Sequence, residues 1–190
     1  DRSLRAGGWT VDSKMITPSL KGQRLGIVGL GSIGEAVARR AEAMRMPVRW
    51  WGPREKTSPW TRADSLLELA RDSDILVVAC KADESNRGLI SRAVIEALGS
   101  QGLLVNVARG QLVDETALIA ALKDGRLGQA ALDVFEDEPT DPARWADVPN
   151  TVLTPHTGGA TTEEVQGMLM LLIQNLRAAF AGEPLVTPVT

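Results

Sequence analysis

Few residues in this chain are able to do chemistry, and they recur at regular intervals. Gly29, Gly31 and Gly34 form G-x-G-x-x-G between an apolar run, Leu25 to Val28, and a helical pattern with Ile33, Val37 and Ala41 on one face. In that setting Gly29 permits a tight turn, Gly31 lets the backbone approach a pyrophosphate, and Gly34 lets helix and strand pack closely. The helix that opens at Ser32 and Ile33 offers free N–H groups and a positive dipole end to phosphates. Further on, Ala108-Arg109-Gly110 can aim a planar guanidinium at a carboxylate, although such an arginine standing alone is an ordinary surface ion-pair residue. Asp133, Glu136, Asp137 and Glu138 make an acidic cluster, which is either a solvated loop or helix-capping region or a set of carboxyls that raise one another's pKa values. His156, in Pro155-His156-Thr157-Gly158-Gly159, is the only histidine and a candidate acid/base.

The elements that must position these groups read as an alternation. Apolar strands are expected at 25–28, 48–51, 75–79, 103–107, 130–134 and 151–153, separated by helical patterns at 65–72, 91–98 and from Asp114 to just before Gly125. Residues 54–62 read as a polar loop. A last helix starts at Thr161 and Thr162 and covers 162–181, with Val165, Met168, Leu169, Leu172, Leu176 and Phe180 at helical spacing, which reads as core. Residues 1–20, with Trp9, Val11, Met15, Ile16 and Leu20, read as a lead-in segment packed on the flank of the domain. The whole pattern predicts an α/β fold, a Rossmann-type doubly wound parallel sheet covered on both faces. Ligands of such sheets sit beyond the carboxyl ends of the strands. The glycine turn, Arg109, the acidic cluster and His156 each follow a strand, so all are expected on one edge. Together they describe a hydride-transfer site: a cofactor cradle, a carboxylate binder and an acid/base.

Composition narrows the alternatives. The chain has 190 residues, 44% hydrophobic and 24% charged, with a net charge of −3. That balance, without a Lys/Arg cluster, argues against a nucleic-acid surface. No apolar run is long enough for a membrane span. The single cysteine, Cys80, excludes an internal disulfide and fits a reducing, cytoplasmic setting. One histidine and one cysteine far apart argue against a metal site, and no G-x-S-x-G elbow suggests a hydrolase.

The end of the second strand bears on which dinucleotide is expected. An NAD-specific fold usually places Asp or Glu there to bond the ribose hydroxyls. Here the sequence is Trp51-Gly52-Pro53-Arg54-Glu55-Lys56. Arg54 and Lys56 can attract a 2′-phosphate, which favours NADP over NAD; the alternative is two solvated loop cations.

GLGSIG at 29–34, VNVARGQLVDETALIAAL at 105–122, ALDVFEDEP at 131–139 and TPHTGGAT at 154–161 resemble, in this order, the D-isomer-specific 2-hydroxyacid dehydrogenases. The resemblance covers nearly the whole chain. It implies that Arg109 grips the carboxylate and C2 oxygen of a 2-oxo acid or D-2-hydroxy acid. It likewise implies that His156 is the general acid of reduction, oriented by Glu138, and that Asp133 bonds the nicotinamide carboxamide. Contacts from Gly52, Cys80, Ala108 and Gly158 to the cofactor are implied in the same way. The sequence departs from the family at Gly52, often an aspartate, and at CKAD, 80–83, often a proline-containing stretch. The resemblance further implies a two-domain enzyme of which residues 1–190 are the dinucleotide-binding domain. The chain would then begin near the linker, with a substrate domain of on the order of 100 residues outside it. A homodimer is expected, to which Trp9, Trp60 and Trp145 can contribute; the alternative is that they cover the core or the contact with the substrate domain. A second reading, a dinucleotide-sensing interaction module like the family's corepressor branch, keeps the same three site residues.

Overall fold

A seven-stranded, wholly parallel sheet forms the centre of the computed structural model, which describes residues 2–10 and 17–188. The strands are β1 (Leu25–Val28), β2 (Val48–Trp51), β3 (Thr61–Arg62), β4 (Ile75–Val78), β5 (Leu103–Asn106), β6 (Gln129–Leu132) and β7 (Thr151–Leu153). Their spatial order is β3-β2-β1-β4-β5-β6-β7. The chain moves outward from β1 to β3, then returns to β4 on the other side of β1. A crevice therefore opens beyond the carboxyl ends of β1 and β4. The helices are α1 (Arg2–Arg5), α2 (Ser32–Ala43), α3 (Leu66–Arg71), α4 (Arg92–Leu98), α5 (Glu115–Lys123), α6 (Pro142–Trp145) and α7 (Thr162–Ala181).

The alternation of side chains splits each central strand between two cores. Leu25 and Ile27 of β1, with Ile75 and Val77 of β4, pack on one face against Ala38 and Ala41 of α2. Val28, Leu76 and Val78 face the opposite side and meet Leu69, Val94, Ile95 and Leu118 from α3, α4 and α5. Local signals agree with these elements. Ser65 accepts the Glu68 N–H at the start of α3, Asp114 the Ala117 N–H at the start of α5, and Thr161 the Glu164 N–H at the start of α7.

Four expectations need correction. The polar loop after β2 contains a strand, β3, which is held by backbone pairing to Arg49 and Trp50 rather than by an apolar pattern. Trp60 and Trp145, expected at an interface, are only 7% and 6% exposed. Trp60 packs in the α2-side core, and Trp145 meets Phe135 edge-on, their ring centroids 5.7 Å apart. The described part of the lead-in does not pack on the flank, since Leu4, Trp9 and Leu20 are exposed; Val11, Met15 and Ile16 lie outside the described residues.

The last correction concerns α7, which is not core: Val165, Met168, Leu169, Leu172, Leu176 and Phe180 are exposed, and Ala178 alone is buried. Helical spacing reports that a face is apolar, not that this domain covers it. Cover on both faces is likewise confined to the centre of the sheet. On the α2 side it thins outward: Leu103 and Val105 of β5 are half-buried and Val152 of β7 is exposed. Among the described residues no helix is long and apolar enough to cross a membrane.

Candidate active site

The crevice at β1 and β4 is a cleft of about 840 Å³ lined by Gly29, Gly31, Gly52, Arg54, Lys56 and Cys80, among others. Each glycine of the turn has its own reason. Gly29 has φ +92°, and a Cβ there would lie 2.5 Å from the Cα of Cys80. A Cβ on Gly34 would strike the Gly29 carbonyl, so this residue sets how closely α2 approaches β1. A Cβ on Gly31 would meet nothing within 4 Å, because it would project into open space. Gly31 is also the N-cap of α2, and no side chain caps that helix. An uncapped helix N-terminus above an open cleft suits the pyrophosphate of a dinucleotide. Ser32 and Ile33 form the exposed first turn.

Beyond β2, Lys56 donates to the Leu30 carbonyl at 2.9 Å and pairs with Glu35 of α2. That partner, aided by Arg39 at 3.7 Å, holds the Glu35 carboxyl below its ordinary range. Arg54 is exposed and makes no hydrogen bond or ion pair among the described residues. Burial pushes the Cys80 thiol up, and its side chain forms part of the cleft wall.

Further along the same edge, the loops after β5, β6 and β7 converge. Asn106, 1% exposed, staples the first of them: its side-chain oxygen accepts the Ala108 N–H at 3.1 Å and its amide donates to the Arg109 carbonyl at 3.0 Å. Ala108 is buried inside that turn, and its carbonyl accepts from Arg109 Nη1 at 2.7 Å. Gly110 lets the turn lie directly against the backbone of Phe135 and Glu136, where a Cβ would not fit. Glu138 Oε1 accepts the Phe135 N–H at 2.9 Å, and its Oε2 lies 2.7 Å from His156 Nδ1. The hydrogen bond with His156, then that from Phe135, holds the Glu138 carboxyl below the usual range, with Arg109 adding its charge. A carboxylate only accepts, so Nδ1 carries the hydrogen and Nε2 is left to exchange a proton. His156 has φ +52°, an uncommon conformation for a residue with a side chain and one that clusters at functional sites.

Asp133 holds the loop that carries His156. Its Oδ1 accepts the Thr157 N–H at 2.9 Å and the Thr154 hydroxyl, and its Oδ2 accepts the Gly158 N–H at 2.8 Å. Desolvation pushes this carboxyl up, but those three donors outweigh it and keep it below its ordinary value. The N–H groups of Ala108 and Gly158 are thus already engaged within the protein.

Sequence reasoning missed two positioning groups. One is Asn106, whose signal was a polar residue ending an apolar strand. The other is Glu115, 3% exposed, which accepts the Glu136 N–H and pairs with Arg144 at 3.3 Å. Burial pushes the Glu115 carboxyl up, while Glu136 N–H and Arg144 oppose the rise. It anchors the loop of Glu138 to α5, and nothing in its spacing announces that. No group of three or more metal-ligating side chains occurs among the described residues.

A switch-point cleft under an uncapped glycine-turn helix, with an imidazole–carboxylate pair and an arginine further along one edge, defines a Rossmann-type dinucleotide-binding domain. Comparison with known proteins agrees. Residues 1–158 match the family described as "D-isomer specific 2-hydroxyacid dehydrogenase, NAD binding domain". The chain is 46% identical to hydroxyphenylpyruvate reductase of Plectranthus scutellarioides over 190 residues, which is all of this chain and 61% of that protein. Its fold is similar to that of a 2-hydroxyacid dehydrogenase from Ketogulonicigenium vulgare, with TM-score 0.92 and 44% identity over 99% of this chain and 60% of that one. It is also similar to an NADPH-dependent glyoxylate/hydroxypyruvate reductase from Sinorhizobium meliloti, solved with NADP and malonate, with TM-score 0.91 and 35% identity over 100% of this chain and 60% of that one. This chain belongs to the D-isomer specific 2-hydroxyacid dehydrogenases and matches their NAD-binding domain. It spans about three fifths of the length of these relatives. None of the three is a corepressor.

Proposed function

We propose that this chain is the cofactor-binding part of an NADPH-preferring reductase of small 2-oxo acids, glyoxylate or hydroxypyruvate in type. The observation that carries the reading is the His156–Glu138 pair at 2.7 Å, on the sheet edge that also holds Arg109 and the glycine cleft. NADPH, when bound, supplies the hydride. Arg109 binds the substrate carboxylate and polarises the C2 oxygen. His156 gives its Nε2 proton to that oxygen as the carbonyl becomes a hydroxyl, and takes it back in the oxidative direction. Glu138 holds the ring and stabilises the imidazolium before transfer. Asp133 and Asn106 keep the two loops in place, and in this reading Asp133 reaches the nicotinamide carboxamide with its remaining lone pair.

NADP is preferred because no acid ends β2 and Arg54 is unpaired there; the NADP-bound relative supports the same choice. The other two fifths of the relatives' length would include the domain that closes over the substrate and excludes water. A homodimer is part of the proposal, with the exposed stripe of α7 as supporting surface. The test is the loss of NADPH absorbance with glyoxylate or hydroxypyruvate, beside an NADPH-binding titration. This chain should bind NADPH and turn over slowly or not at all. Absence of NADPH binding overturns the cofactor reading, and brisk turnover overturns the need for a second domain.

A further inference from the structure

Two cations reach the cleft from the loop after β2, and their situations differ. Arg54 is exposed and unpaired among the described residues. Lys56 instead reaches back across the cleft to the Leu30 carbonyl, 2.9 Å away, and to the carboxylate of Glu35. Leu30 belongs to the glycine turn and Glu35 to the first turn of α2. One lysine side chain therefore ties the loop that would receive the adenosine ribose to the turn that would receive the pyrophosphate. The carboxylate that sequence position 52 lacks is thus supplied to this region from α2.

We infer that Glu35 is a specificity-determining residue, which limits the preference for NADPH over NADH by holding Lys56 in an ion pair. The inference rests on the reading that a dinucleotide binds in this cleft. A ribose 2′-hydroxyl leaves the Lys56–Glu35 pair intact. A 2′-phosphate must draw the ammonium away from Glu35 and then stand near a carboxylate whose remaining counter-charge is the more distant Arg39, 3.7 Å away. The gain from Lys56 is therefore largely offset, and Arg54 is left as the main phosphate partner. Selectivity in this chain is set by the difference between a free cation and a neutralised one, not by a count of basic residues.

The experiment is a fluorescence titration of NADPH and of NADH against this chain and its Glu35→Gln, Lys56→Met and double variants, each checked by thermal melting. Glu35→Gln should tighten NADPH about fivefold and change NADH less than twofold, a selectivity gain of about 1 kcal/mol. The double variant should show no more than a twofold gain in NADPH affinity over Lys56→Met, because Glu35 acts through the lysine. If both nucleotides shift together, if neither shifts, or if the gain persists without Lys56, the inference is overturned. A parent chain that binds neither nucleotide overturns the cofactor reading as well. A parent chain that binds both, with an unchanged ratio in Glu35→Gln, overturns this inference alone.

Discussion

Two glycines three residues apart should respond to the same substitution in opposite ways. A methyl on Gly34 would run into the Gly29 carbonyl and lie 3.2 Å from the Ile27 Cγ2, with backbone on one side and core on the other. Overpacking against groups that cannot yield costs up to about 3 kcal/mol, and the better helix propensity of alanine returns about 1. Gly34→Ala should therefore lose about 2 kcal/mol, a fall in Tm of about 4–8 °C for a chain of this size. A methyl on Gly31 meets open space at φ −89°, a conformation any residue adopts. Loss of the glycine cap costs up to about 1 kcal/mol and the stiffer unfolded chain returns about 0.4–1, so Tm should hold within about 2 °C. That methyl does occupy the space a pyrophosphate would enter, and Gly31→Ala should weaken NADPH binding at least about tenfold. Thermal melts followed by circular dichroism, and NADPH fluorescence titrations on the same samples, read both effects. A Gly31→Ala chain that binds NADPH like the parent, or that melts as early as Gly34→Ala, would refute the reasoning.

The carboxyl of Glu138 lies below its ordinary value of 4.5 in the folded chain, so its ionised form favours folding. Its contribution is complete above that value and fades as pH falls through the lower, native one. The stability gap between the parent and Glu138→Gln, read by denaturant titration, should therefore narrow as pH falls below about 4.5; a gap unchanged to pH 3 contradicts the pairing. On α7, Met168→Glu and Leu172→Glu should each weaken the proposed homodimer in analytical ultracentrifugation while changing the stability of the dilute, dissociated chain by no more than about 0.5 kcal/mol. Losses of about 2–5 kcal/mol, the cost of spoiling a packed interior, would show that the helix is covered after all.

Much of the fold was legible because breakers and apolar runs agree. β1, β2 and β7 have the expected bounds, each a continuous run closed by Gly, Pro or a polar turn. β3 was not legible, since two residues paired through the backbone carry no periodicity. The burial of Trp60 was hidden by its polar neighbours. Its carbonyl accepts the Trp50 Nε1 hydrogen at 3.0 Å, which folds the loop back on the core. At the site, the convergence of Arg109, the acidic cluster and His156 on one edge was legible because strand ends in a doubly wound sheet share an edge. Glu138 was singled out within that cluster only by the family resemblance. The supports of these residues were not legible. Glu115 meets Glu136 across 21 residues and Asp133 meets Thr154 across 21, and contacts at that range leave no trace in local spacing.

Since the histidine that faces Glu138 has no companion anywhere in the chain, imidazole signals in a nuclear magnetic resonance spectrum need no assignment. One ring reports its tautomer, its hydrogen bond and any ligand that arrives, and acylation by a histidine-selective reagent can strike a single imidazole. The proposed proton donor is its own spectroscopic label.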